Sequence, residues 1–80
     1  MIFQPGKLYT LNEPMVLYTD EECTKAFAKW ILKPRQIILL LSHDFELRNN
    51  KQMKKFKILT SAGNIGWVFY HISQEILSEI

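Results

Sequence analysis

Eighty residues can build one hydrophobic core but not two, and a chain of this length buries about 60–65% of its unfolded surface, so a single domain spanning residues 1–80 with a narrow stability margin is expected. Hydrophobic residues at 48% and charged residues at 22% exclude a disordered chain, and a formal net charge of +2 is too small to imply a polyanionic partner. Cys23 is the single cysteine, which excludes an intramolecular disulfide and a multi-cysteine zinc site and points to a reducing compartment.

Residues 1–12 carry no cationic start followed by a long apolar run, so no signal peptide is expected. The longest apolar run, residues 37–41, is too short to span a bilayer. The expectation is a soluble, cytoplasmic protein. Pro5-Gly6 is a turn signal, and residues 7–11 read as a short strand with Leu8 and Thr10 on one face and Tyr9 and Leu11 on the other. Asn12-Glu13-Pro14 breaks it, and a second strand starts at Met15 with Met15 and Leu17 facing one way. Residues 19–31 carry two signals. Thr19 followed by Glu22 is a capping box, and Cys23, Ala26, Phe27, Trp30 and Ile31 fall on one helical stripe, which predicts a helix of two to three turns.

Pro34 interrupts the chain, and residues 36–42 form the middle strand. Its run Ile37-Ile38-Leu39-Leu40-Leu41 does not alternate, and a strand apolar on both faces is normally covered on both. The cover for Ile37 and Leu39 is either the segment 19–31 or a second subunit. Residues 43–53 are polar and turn-rich, with Asn49-Asn50-Lys51 as the tip of an irregular hairpin. Residues 56–70 then read as a β-hairpin: a strand to Thr60, turn chemistry over residues 61–64, and the aromatic and β-branched return 65–70. A type I turn over Ser61 and Ala62 followed by a bulge residue at positive φ asks for glycine at Gly63. Gly63→Val is therefore expected to cost about 1 kcal/mol or more. Residues 75–80 are a candidate last strand, which pairing with residues 7–11 would bring beside the N-terminus.

Thr60-Ser61-Ala62-Gly63-Asn64-Ile65-Gly66-Trp67-Val68 resembles the hairpin signature of bacterial SH3-like domains, which typically reads Thr-Ser-Asp-Gly-Lys-x-Gly-Trp-Val. Leu32-Lys33-Pro34-Arg35-Gln36 with the strand after it resembles that family's "Leu-Lys-x-Gly-Asp, then strand" segment, and residues 15–18 resemble its opening strand. The likeness covers roughly residues 15–72. The chain departs from the pattern in three places. Arg35 stands where the family has glycine, Thr19-Asp20-Glu21-Glu22 replaces its Arg-x-Gly-Pro, and the loop 42–55 is longer.

The resemblance implies a mostly β fold, a small SH3-like antiparallel barrel of five to six strands with one short helix or long loop inserted after the first barrel strand. Its implied core is Met15, Leu17, Ile38, Leu40, Phe56, Ile58 and Val68, with Val16 and Tyr18 outward. It also implies an extended loop rather than a helix over residues 19–31, with Phe27 and Trp30 packed on the barrel in either case, and a short 3₁₀ turn at His71-Ile72-Ser73. Members of the family bind cell-wall peptides or other proteins as accessory modules, and a small barrel without a catalytic domain also resembles, in a general way, short open reading frames of tailed phages.

Cys23, His43, His71 and Asp44 are the raw material for nucleophilic chemistry, but Cys23 lies on the apolar stripe and reads as a buried small hydrophobe. The two histidines, with Asp44 or Glu46, lack ligand spacing and read as surface residues. No enzymatic activity, cofactor or metal is expected. Lys51, Lys54, Lys55 and Lys57 form a basic run around Phe56, with Lys55 and Lys57 sharing the outward face with Leu59. Such a strand supports an alternative reading as a small nucleic-acid-binding barrel. The leading reading is a non-catalytic binding or assembly module. Its outer face would carry Trp67, Leu59, Phe69, Ile37 and Leu39 as an interface with a protein partner or with a second copy in a homodimer, unless the chain's own termini cover Trp67.

Overall fold

The computed structural model describes residues 3–23, 25–71 and 75–80, and the backbone alone of residues 26–30. Local chemistry places the turns first. Gly63 has φ +88, its amide donates to the Thr60 carbonyl at 3.0 Å, and the Thr60 amide donates to the Asn64 carbonyl at 2.9 Å, the turn and bulge expected at this hairpin. Asn49 and Asn50 have φ +52 and +62 between the paired residues Arg48 and Lys51, a two-residue type I′ turn that asparagine tolerates. Lys33-Pro34-Arg35-Gln36 is a type II turn, with the Gln36 amide donating to the Lys33 carbonyl and Arg35 at φ +68. Arg35 thus holds the left-handed conformation for which a glycine is the usual choice.

Between these turns the described residues form seven strands: β1 (Leu8–Leu11), β2 (Met15–Tyr18), β3 (Ala26–Leu32), β4 (Ile37–Arg48), β5 (Lys51–Thr60), β6 (Ile65–His71) and β7 (Leu77–Glu79). They form one antiparallel sheet in the order β3-β2-β6-β5-β4-β1-β7, curled into a half-barrel. The radius of gyration is 11.6 Å, close to the roughly 12 Å of a compact chain of this length. The concave side is the core. Leu17, Ile38, Leu40, Phe56, Ile58 and Val68 are buried as expected, joined by Tyr9, Leu11, Leu32, Tyr70, Ile76 and Leu77, with Met15 partly buried against them. β7 pairs with β1 as expected, Tyr9 opposite Glu79. No helix among the described residues is long and apolar enough to cross a membrane.

Three expectations are corrected. The described residues contain no helix. Thr19 and Lys25 are drawn together at the two ends of a tight loop, the Thr19 amide donating to the Lys25 carbonyl at 2.7 Å and the Lys25 amide to Asp20 Oδ1 at 2.8 Å, with Cys23 at φ +57. Thr19 Oγ1 donates to the Lys25 carbonyl instead of capping. A left-handed residue at Cys23 breaks a helix in its first turn, and a helix of two to three turns is marginal without packing. The chain after the loop becomes β3, so the sheet has seven strands and not five or six.

The segment 19–31 also does not cover Ile37 and Leu39, because β3 and β2 stand beyond β6 and β5 from β4. The failure of residues 37–41 to alternate has another cause. The β4–β5 register slips between Leu40 and Ser42, which flips the facing of β4 from there on, and Ile37 is 47% exposed. The 3₁₀ turn expected at residues 71–73 lies outside the described residues beyond His71, as do the side chains of Phe27 and Trp30.

Candidate functional site

The convex face of the sheet is where the sequence places an interface, and cross-strand register defines what it holds. Leu8 lies opposite Leu39, Leu39 opposite Leu59, and Leu59 opposite Ile65. This is a row of four directly opposed aliphatic side chains across β1, β4, β5 and β6, at the spacing where cross-strand pairs touch. Ile37 extends it, two residues from Leu39 on the same face. Leu8 is 53% and Ile65 50% exposed, Leu39 and Leu59 are half-buried, and Leu8, Ile37, Leu39, Leu59, Thr60 and Ser61 line a shallow groove.

Trp67 and Phe69 continue the face along β6, but their surroundings differ. Trp67 is half-buried between Tyr18 and Lys57, with the Lys57 Nζ 5.3 Å from the ring centroid. The described terminal segments do not cover it: Phe3 packs on Tyr9 and Phe56 inside the curl, and β7 lies on the far edge. Phe69 lies opposite Lys55, beneath the Arg48 guanidinium at 4.3 Å. The same guanidinium donates from Nη2 to the Glu22 carbonyl at 2.7 Å and sits 3.1 Å from Glu46 Oε2. Arg48 thereby clamps the loop 19–25 over this end of the face. Of the five residues expected at the interface, Leu59, Leu39 and Ile37 are brought together, Trp67 lies at their margin, and Phe69 is taken up by the clamp. Leu8 and Ile65 join the patch without having been named for it, although the alternation of Leu8 and the start of the return strand at Ile65 were both legible.

The loop also decides Cys23. The residue is buried, and burial pushes its thiol up to about 11, against the lowering influence of Lys55 and Arg48. A thiol so protonated is a poor nucleophile. His43 stacks on Phe56 with rings 5° from parallel on the concave side, whereas His71 lies opposite Met53 on the convex side, so the two histidines are not gathered.

The basic run is divided in the same way. Lys51 is exposed at the hairpin tip, Lys57 leans on Trp67, and Lys55 is only 9% exposed. Lys54 points to the concave side, its Nζ 5.7 Å from the ring centroids of Phe3 and Phe45. The four do not form one surface.

One glycine missed as a structural residue is Gly66. A Cβ there would stand 2.6 Å from the Tyr18 carbonyl oxygen and 2.8 Å from the Leu17 side chain, so glycine is what lets β6 approach β2. Comparison with known proteins adds nothing to this geometry: no family model, curated protein or solved structure matches the chain.

Proposed function

We propose that this chain is a non-catalytic binding or assembly module, built as a small SH3-like barrel, that receives an apolar segment of a protein partner on its convex face. The observation that carries the reading is the row Leu8, Leu39, Leu59 and Ile65, four opposed aliphatic side chains meeting solvent with no described residue above them. Contiguous apolar surface of this kind, rimmed by polar residues such as Thr60 and Ser61, marks interaction sites. Arg35 adds support for the barrel, since its φ of +68 falls where SH3-like domains carry glycine. The division of the basic run between two faces favours this reading over nucleic-acid binding.

The test is selection from a random peptide display library. The wild-type chain is expected to enrich apolar peptides that a Leu39→Lys/Leu59→Lys variant of unchanged circular dichroism does not bind. Failure to enrich any peptide, or binding that ignores both substitutions, defeats the proposal.

A further inference from the structure

The free edge of β4 points to a second interface. β1 pairs with β4 at Ile37, Ile38 and Leu39, and the Gly6 amide still reaches the Leu40 carbonyl. From Ser42 to Arg48, β4 pairs on its β5 side, and no described strand stands on the other side. The Thr60 amide bonds toward β6, so alternation directs the even residues of β5 to β6 and the odd ones to β4. Their partners Ser42, Asp44, Glu46 and Arg48 are thereby hydrogen-bonded to β5, and the backbone groups of His43, Phe45 and Leu47 face outward. The Phe45 amide is taken by the neighbouring Asp44 Oδ1 at 2.8 Å, as expected of an outward-facing donor. Phe45 and Leu47 are 61% and 70% exposed and point to the concave side. An exposed apolar edge strand of this kind is a template for pairing.

We propose that this edge pairs with the same edge of a second copy, antiparallel about a two-fold axis at Glu46, so that the two half-barrels share one continuous sheet. Charge complementarity selects a second copy as the occupant, and charge together with the Phe45 to Leu47 pairing selects the register, which leaves one like pair, Glu46 against its counterpart. With Glu46 opposite its counterpart, Phe45 meets the partner copy's Leu47 in a hydrogen-bonded pair on the concave side, twice over, the Phe45 amide exchanging Asp44 Oδ1 for the partner's carbonyl and so freeing the Asp44 carboxylate. Asp44 then meets the partner copy's Arg48 on the convex side, also twice. Centring the pair on Phe45 would set Asp44 against the second Glu46, like against like on both sides. Centring it on Leu47 would also oppose Glu46 to the partner copy's Arg48, but it would lose the Phe45 to Leu47 pairs and set Phe45 and Asp44 against the turn residues Asn49 and Asn50, which offer no strand to pair with. The central glutamates are each held by Arg48 at 3.1 Å, and Arg48 uses Nη2 for Glu46 and Glu22, while its guanidinium carries further donors. This interface is separate from the convex groove and does not depend on it.

Sedimentation of the full chain tests the pairing. The wild type is expected to be dimeric. Leu47→Pro removes an outward amide without touching the β5 pairing, as edge strands allow, and is expected to be folded and monomeric. Asp44→Lys and Arg48→Glu are each expected to weaken the dimer about tenfold or more, and their mixture to restore it as a heterodimer, since each then meets an opposite charge. In a Cys23→Ala background, Glu46→Cys is expected to cross-link spontaneously, because opposed non-hydrogen-bonded residues stand about 4.5 Å apart at Cα, within disulfide reach. A wild type that stays monomeric at millimolar concentration overturns the proposal. So does a dimer untouched by Leu47→Pro, or cross-linking through a cysteine at Phe45 or Leu47 instead of Glu46.

Discussion

At one end of the convex face Phe69 lies under the Arg48 guanidinium, beside the nearly buried Lys55 and below the loop that carries Cys23. At the other end Leu8, Leu39, Leu59 and Ile65 stand in a row with nothing described above them. Both ends belong to the same strands, and each carries large apolar side chains outward, Phe69 among charged neighbours at one and the aliphatic row at the other. What separates them is reach. The β2–β3 loop begins at the edge of β2, next to β6, and extends over β6 and β5 as far as Arg48, but the other half of β4 lies at the opposite end of the strands. An apolar side chain is thus covered or left open by a neighbour's length and not by its own hydrophobicity.

That contrast can be broken most severely at Gly66. Gly66→Ala forces a Cβ onto the Tyr18 carbonyl and Leu17, and is expected to destabilise the fold by about 2–3 kcal/mol, read as a fall in melting temperature. Because β2 carries the covering loop, the loss should appear first as faster hydrogen exchange around the loop 19–25, while the Leu39–Leu59 pairing exchanges later. Simultaneous opening of both ends would show that they are not independent.

In the Leu47→Pro background, where copies no longer pair, Arg48→Ala breaks the clamp together with the ion pair to Glu46. The loss of the contact over Phe69 and of the hydrogen bond to the Glu22 carbonyl is expected to cost about 1–2 kcal/mol and to raise the rate at which a thiol reagent modifies Cys23. Unchanged reactivity would mean that the loop is held by its own Thr19 to Lys25 bonds.

The smallest effect is a pH dependence at the covered end. The Cys23 thiol sits near 9.0 when free and at about 11 in the folded chain, mainly through burial. The folded chain keeps the proton longer, so the thiol's contribution to stability is whole below about pH 9 and declines as pH rises toward about 11. Stability of the wild type should therefore fall faster over that window than that of Cys23→Ala, in denaturant titrations at successive pH values. Parallel pH profiles would remove Cys23 from the account of the covered end.

Much of the fold was legible because its determinants lie within a few residues. Thr60 to Asn64, the two asparagines at 49 and 50, and Pro34-Arg35 each specify a turn through φ preferences that act locally. The alternation in β1, β2, β5 and β6 sorts their residues into two faces by the same local logic; the resemblance to SH3-like domains was what made Leu17, Phe56, Ile58 and Val68 the inward ones, and Tyr9, which the sequence left on an unassigned face, is buried with them. The segment 19–31 was not legible, since its capping pair and helical stripe are equally compatible with a loop and an edge strand, and pairing with β2 settles the matter from outside the segment.

By itself, then, the sequence determined a mostly β fold, its hairpins, the two faces of its strands and the aliphatic row on one of them, because turn chemistry and period-two alternation are properties of neighbouring residues. Tertiary structure decided that β3 exists, that Lys55 and Phe69 are covered while Leu59 is not, that Gly66 must lack a side chain, and that β4 outruns β1. Each of these depends on how far one element extends past another and on the register slip between Leu40 and Ser42, which are relations between distant stretches that no local pattern contains.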